Sequence, residues 1–199
     1  MNRVDAASAV KAQLEDLSRT ALGCAEELAG PAGQYASLVI DTFDRGGRLL
    51  FCGNGGSAAT VEHVATEYVI RLKRQREPLP AIALTAGSAQ LTAAANDFGY
   101  ENVFVRGVRA FGRSGDLLVL HSTSGESANL LAAAGEASSL RIATVALLGK
   151  TGGRLAPVVD LPIQVPSTDT ARIQEIHLAI EHAVADIVDS HFADETGQG

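Results

Sequence analysis

The sequence predicts an α/β protein, a doubly wound five-stranded parallel sheet flanked by helices. Three observations predict it. Five short apolar runs recur along the chain, at Arg48–Cys52, Ala81–Thr85, Leu117–His121, Ile142–Leu148 and Leu161–Val165. Stretches with apolar residues at helical spacing lie between them. Several of the runs are apolar on both faces, as strands covered from two sides are. Strands that alternate with helices give a parallel sheet. At 199 residues the chain is long enough to bury one full core, so a single domain over 1–199 is expected.

The elements follow in order. Residues 1–45 read as a pair of helices, Ala6–Leu28 and Gln34–Arg45, split by Gly30-Pro31-Ala32-Gly33. Gly46-Gly47 then stops the second. The core is expected over 46–192, with helices at Ala58–Leu72, Ser88–Ala95, Asn102–Phe111, Ser127–Ser138 and Gly153–Ala156. A long helix, Thr170–His191, closes the fold, and 193–199 reads as a flexible tail.

Composition excludes several classes. A hydrophobic fraction of 46% argues against disorder. Net charge is −7, and the one basic stretch, Arg71-Leu72-Lys73-Arg74-Gln75-Arg76, reads as a solvated face rather than a nucleic-acid surface. No signal-peptide pattern opens the chain and no apolar run is long enough to span a membrane, so a cytoplasmic location is expected. Cys24 and Cys52 make no disulfide framework. Cys52 reads as a small buried hydrophobe.

In doubly wound sheets ligands bind beyond the carboxyl ends of the strands. Two such ends stand out. Leu49-Leu50-Phe51-Cys52 leads into Gly53-Asn54-Gly55-Gly56-Ser57, and Leu117–His121 leads into Ser122-Thr123-Ser124-Gly125-Glu126-Ser127. Glycines allow a tight turn, and free N–H groups at a helix start favour an anion. Either loop alone is equally well plain turn chemistry, with Ser57 or Ser127 serving as an N-cap. The pair, on two strands of one sheet, points to a compact phosphate ester. Neither loop has the Gly-Lys-Ser/Thr ending or the GxGxxG pattern of nucleotide sites.

Ionisable residues form a second layer. His63 and Glu67 share one helix face. Gln174, His177, Glu181 and His182 lie on the last helix, where 174 and 182 are about 12 Å apart along a straight axis. His63, Glu67 and His182 with the Gln174 amide make an N/O set suited to zinc, although a lone His-x-x-x-Glu is more often a surface pair. His121, His177 and His191 read as structural.

These motifs resemble the phosphoheptose isomerases of the SIS (sugar isomerase) superfamily. The resemblance rests on Cys52-Gly53-Asn54-Gly55-Gly56-Ser57-Ala58-Ala59 with His63 and Glu67, on Pro80–Leu84, and on Ala95-Asn96-Asp97-Phe98-Gly99-Tyr100. Gly115-Asp116 with Ser122-Thr123-Ser124-Gly125, and Arg172-Ile173-Gln174-Glu175-Ile176-His177, complete it. It implies the SIS fold and an aldose–ketose isomerase that converts D-sedoheptulose 7-phosphate to D-glycero-D-manno-heptose 7-phosphate. It further implies substrate contacts from Asn54, Gly55, Gly56, Ser57, Glu67, Asn96, Asp97, Ser122, Thr123, Ser124, Ser127 and Gln174. Zinc would be held by His63, Glu67, Gln174 and His182, with Glu67 as base and His182 as acid. The two roles of Glu67 compete for one carboxylate. A homotetramer is implied, with the N-terminal helices in its core.

The chain departs from the pattern at Thr60, where many relatives carry an aspartate, and at Glu62. Three rival readings follow from the same fold. A non-catalytic scaffold that binds a replication initiator lacks the acidic and terminal histidine positions, which Glu67 and His182 fill here. A sugar-phosphate-sensing regulator would need a DNA-binding segment. An isomerase of another sugar phosphate would use other base positions.

Overall fold

The computed structural model describes residues 5–193. Helix α1, Ala6–Asp44, precedes strand β1, Leu49–Gly53. Then come α2 (Gly56–Val69), β2 (Ala81–Ala83), α3 (Ser88–Phe98) and α4 (Val105–Phe111). The rest is β3 (Leu117–Ser122), α5 (Ala128–Ser139), β4 (Ala143–Leu148), β5 (Leu161–Gln164) and α6 (Thr170–Phe192).

All five strands pair in parallel, in the order β2-β1-β3-β4-β5. Side chains alternate between two cores, as the pleat requires. Leu49, Phe51, Leu117, Val119, Val145, Leu147 and Ile163 face α1, α2 and α6. Leu50, Cys52, Leu118, Leu120, Ala146 and Leu148 face α3, α4 and α5. This double burial explains why the strands read as continuous apolar runs. The chain leaves β1 to one side for β2 and returns to the other side for β3. The crevice at this reversal opens where β1 and β3 end.

The expected helical pair over 1–45 is corrected: α1 is one helix of 39 residues with Pro31 inside it. The buried stripe explains this. Cys24, Leu28, Tyr35, Val39 and Phe43 stay in phase across Gly30-Pro31, so a break would turn one half away from the core. An interior proline costs about 3 kcal/mol, and burial of Tyr35 and its neighbours outweighs it. Gly46, at φ +75°, ends the helix as expected, with its N–H on the Phe43 carbonyl.

Two shorter expectations also change. Residues 102–111 begin as a 3-10 turn, Tyr100–Asn102, and become helical only from Val105. The stretch 153–156 is a turn leading into a second 3-10 turn, Ala156–Val158. Helix α2 stops at Val69, because Asp189 captures the N–H groups of Leu72, Lys73 and Arg74. Of the tail expected over 193–199, residues 194–199 lie outside the described residues.

Candidate active site

The two loops meet at the carboxyl ends of β1 and β3. Gly55, at φ +57°, turns the first loop so that α2 starts at Gly56, and Gly125, at φ +68°, turns the second. Asn54 Nδ2 donates to Asn129 Oδ1 at 2.9 Å, and Asn129 Nδ2 donates back to Asn54 Oδ1 at 2.8 Å. Tyr100 Oη donates to the same Asn54 oxygen at 3.1 Å. Asn129 lies in the first turn of α5, so this amide pair locks the loops together. In the second loop, Ser122 Oγ accepts from the Gly125 N–H at 2.9 Å and Ser124 Oγ from the Glu126 N–H at 3.2 Å. Ser127 is the N-cap of α5, and its hydroxyl makes no capping bond. Ser57 is buried on the first turn of α2. Asn96 and Asp97 are exposed on the last turn of α3, where Asn96 Nδ2 donates to Asp97 Oδ1.

The second layer lies further along α2. His63 and Glu67 face His182 across α6. His63 Nε2 is 3.2 Å from His182 Nε2, and Glu67 Oε1 is 3.2 and 3.3 Å from the two histidine nitrogens. Ligand bonds of about 2.0–2.1 Å in tetrahedral array separate neighbouring donor atoms by about 3.4 Å. The three atoms therefore form one face of a site of zinc dimensions, and the residues fit that metal. Glu67 is 8% exposed, and its Oε2 is buried without a hydrogen-bond partner. Burial raises the Glu67 carboxyl above its ordinary value, against the lowering pull of His182 and His63. Gln174 sits two turns before His182 on α6, with its amide against Gly56, where a Cβ would come within 2.7 Å of it. The two helices thus run side by side, Gln174 meeting the start of α2 and His182 its middle.

A polar network that sequence reasoning missed supports this layer. Fully buried Glu181 accepts from Tyr35 Oη at 3.0 Å and pairs with His121 Nε2 at 2.7 Å. The pair ties the residue before Ser122 to the residue before His182. His177, read as structural, is buried, and its Nε2 donates to the Leu148 carbonyl at 3.2 Å. Burial, with His121 beside it, pushes the His177 imidazole down to about 3. The basic stretch 71–76 is spent on partners within the fold. Lys73 and Arg74 pair with Asp186, and buried Arg76 bonds Asp189 and the Glu67 and Tyr68 carbonyls. Cys52 is fully buried and its thiol is raised by that burial. Thr60 donates to the Gly56 carbonyl of its own helix.

No helix among the described residues is long and apolar enough to cross a membrane. The SIS domain model matches residues 14–149. The chain belongs to the SIS domain family, whose fold is the sheet and crevice described above. Within that family it belongs with the phosphoheptose isomerases. The phosphoheptose isomerase of Roseiflexus sp. is 51% identical over 160 residues, covering 80% of this chain and 81% of its own. That of Clostridium acetobutylicum is 46% identical over 170 residues, covering 82% and 87%. Among solved structures, the phosphoheptose isomerase of Neisseria gonorrhoeae superposes with a TM-score of 0.87 at 40% identity, covering 92% of this chain and 98% of that one.

Proposed function

We propose that this chain is an aldose–ketose isomerase converting D-sedoheptulose 7-phosphate to D-glycero-D-manno-heptose 7-phosphate, the first step toward activated heptoses. The observation that carries the reading is the convergence of His63, Glu67 and His182 beside a crevice built from two anion-binding loops. The relatives' names give a phosphoheptose isomerase, and the substrate and direction are those the family resemblance implies.

In this reading the phosphate lies on the Ser122–Ser127 loop. Backbone N–H groups and the hydroxyls of Ser122, Thr123, Ser124 and Ser127 receive it at the start of α5. Asn54, Gly55, Gly56 and Ser57 border it from the other loop, and Asn96 and Asp97 contact the sugar hydroxyls. Glu67 takes a proton from C1 of the ketose while His182 gives one to O2, which forms the cis-enediol. Return of a proton to C2, with loss of the O1 proton, gives the aldose. Burial of Glu67 raises its proton affinity toward the range a general base needs. Zinc held by His63, Glu67, Gln174 and His182 would supply Lewis-acid polarisation of the oxygens at C1 and C2. Glu67 Oε1 is the oxygen that faces both histidines, so the metal-ligating atom and the base belong to one carboxylate.

Exposed Val10, Leu14 and Leu22 on α1 support the further proposal of a homotetramer with this helix in its core. The same reading places the enzyme in the cytoplasm, working on a small sugar phosphate with no nucleic-acid or membrane partner. The test is sedoheptulose 7-phosphate turnover by purified protein, before and after chelation and with zinc restored. Turnover that falls on chelation and returns with zinc is expected. In Glu67→Gln, turnover should drop by about two to four orders of magnitude. Turnover retained in that variant would remove Glu67 from the base role. None in the folded parent would turn the reading toward a scaffold or another sugar phosphate.

A further inference from the structure

The Ser122–Ser127 loop contains one residue that binding an anion does not call for. Glu126 puts a carboxylate one position before the N-cap of α5. The loop after β4 holds it. Arg154 Nε donates to Glu126 Oε2 at 2.8 Å, the Arg154 backbone N–H to Oε1 at 3.1 Å, and Arg154 Nη2 to the Glu126 carbonyl at 3.3 Å. Next to them, the Leu155 N–H donates to the Gly125 carbonyl at 3.0 Å. The two loops touch along their length: a Cβ on Gly153 would lie 2.5 Å from the Ser124 carbonyl, and one on Gly149 would strike the Thr123 carbonyl.

As a contribution to stability this ion pair counts for little. The Arg154 and Glu126 side chains are 67% and 53% exposed, and solvent screens most of the attraction of such a pair. Its position matters more. A carboxylate beside a phosphate-binding loop repels the ligand unless a cation compensates it.

We propose that Arg154 is a positioning residue of the phosphate subsite, which neutralises Glu126 and fixes its carboxylate on the β4 side of the loop. The inference rests on the isomerase reading for the place of the phosphate and goes beyond it in naming a residue from a loop outside the motifs. The hydrogen bonds from Arg154 also hold the Glu126 carboxyl below its ordinary value, so it stays charged and in need of its partner at neutral pH.

The test compares the parent, Arg154→Ala, Glu126→Gln and the double variant, first with inorganic phosphate by calorimetry and then with sedoheptulose 7-phosphate in steady state. At low salt Arg154→Ala should weaken phosphate binding and raise KM by about fivefold, with kcat unchanged. Salt should shrink that difference. In the Glu126→Gln background the same arginine change should have little effect, because the charge it compensates is gone. A merely structural role would show no such rescue and no salt dependence. Unchanged phosphate affinity in Arg154→Ala overturns the proposal. An equal loss in both backgrounds also overturns it: with a salt dependence it makes Arg154 a direct phosphate ligand, and without one it makes the role structural. The phosphate arm separates the two readings: a parent that binds phosphate but turns over no heptose ketose loses the isomerase reading alone. A parent that binds neither loses both.

Discussion

Side chains that ionise carry most of what the sequence leaves hidden. His63 and Glu67 were legible because one helix face holds them at a spacing of four. His182 was legible only as one member of a donor set drawn from two helices, since no spacing rule joins residues 119 positions apart. The His121–Glu181 pair had no signal at all: each residue alone reads as a strand-end or helix polar group, and only the fold brings them together. His177 shows what burial does to such groups. Its imidazole is held near 3 in the folded protein, against about 6.5 when free. Between those values the unfolded chain binds a proton that the folded chain refuses, so stability falls as pH falls from about 6.5 toward 3. The slope from this one group reaches about 1.4 kcal/mol per pH unit. Thermal denaturation across that range should show a steep acid limb, and His177→Gln should flatten it. A limb of the same slope in the variant would assign the loss to the carboxylates instead.

Among the elements, the strands were the most legible, because burial on both faces writes them as plain apolar runs. Strand β2 is the exception in length: it stands at the sheet edge, pairs only with β1 and stops at Ala83. Helix α1 was the least legible. Gly30-Pro31-Ala32-Gly33 is locally a break, and only the phase of the buried stripe, which depends on α6 being there, overrides it. The same helix leaves its first half short of partners. Cys24 is its first buried residue, while Val10, Leu14 and Leu22 are 60%, 64% and 77% exposed. Most helical stability in proteins comes from packing of an apolar face, so association should both cover and stabilise this one. Leu14→Glu with Leu22→Glu should lower the sedimenting mass and reduce helical circular dichroism. An unchanged mass in that double variant would place the interface elsewhere.

Across the whole molecule, the sequence order of the site bears little relation to its order in space. One loop follows β1 and the other β3, His182 comes from the last helix, and α1 supplies Tyr35 to the adjacent Glu181. The sheet order and the crevice follow from general rules of parallel folds, so the location of the site was legible before its contents were. The basic stretch at 71–76, expected as a solvated face, instead turns part of its charge inward, with Arg76 buried. The anionic partner is Asp189 of α6. Its Oδ2 takes three successive N–H groups, from Leu72, Lys73 and Arg74, and its Oδ1 takes Arg76 Nε at 2.6 Å. The protein thus carries, away from its crevice, an oxyanion receptor already filled by its own tethered ligand. Asp189→Ala should empty that receptor and cost about 3–5 kcal/mol. Sulfate added to the variant should then act as an untethered substitute, raising its melting temperature by more than it raises the parent's. Equal gains in the two proteins would mean that the receptor collapses once its ligand is cut away.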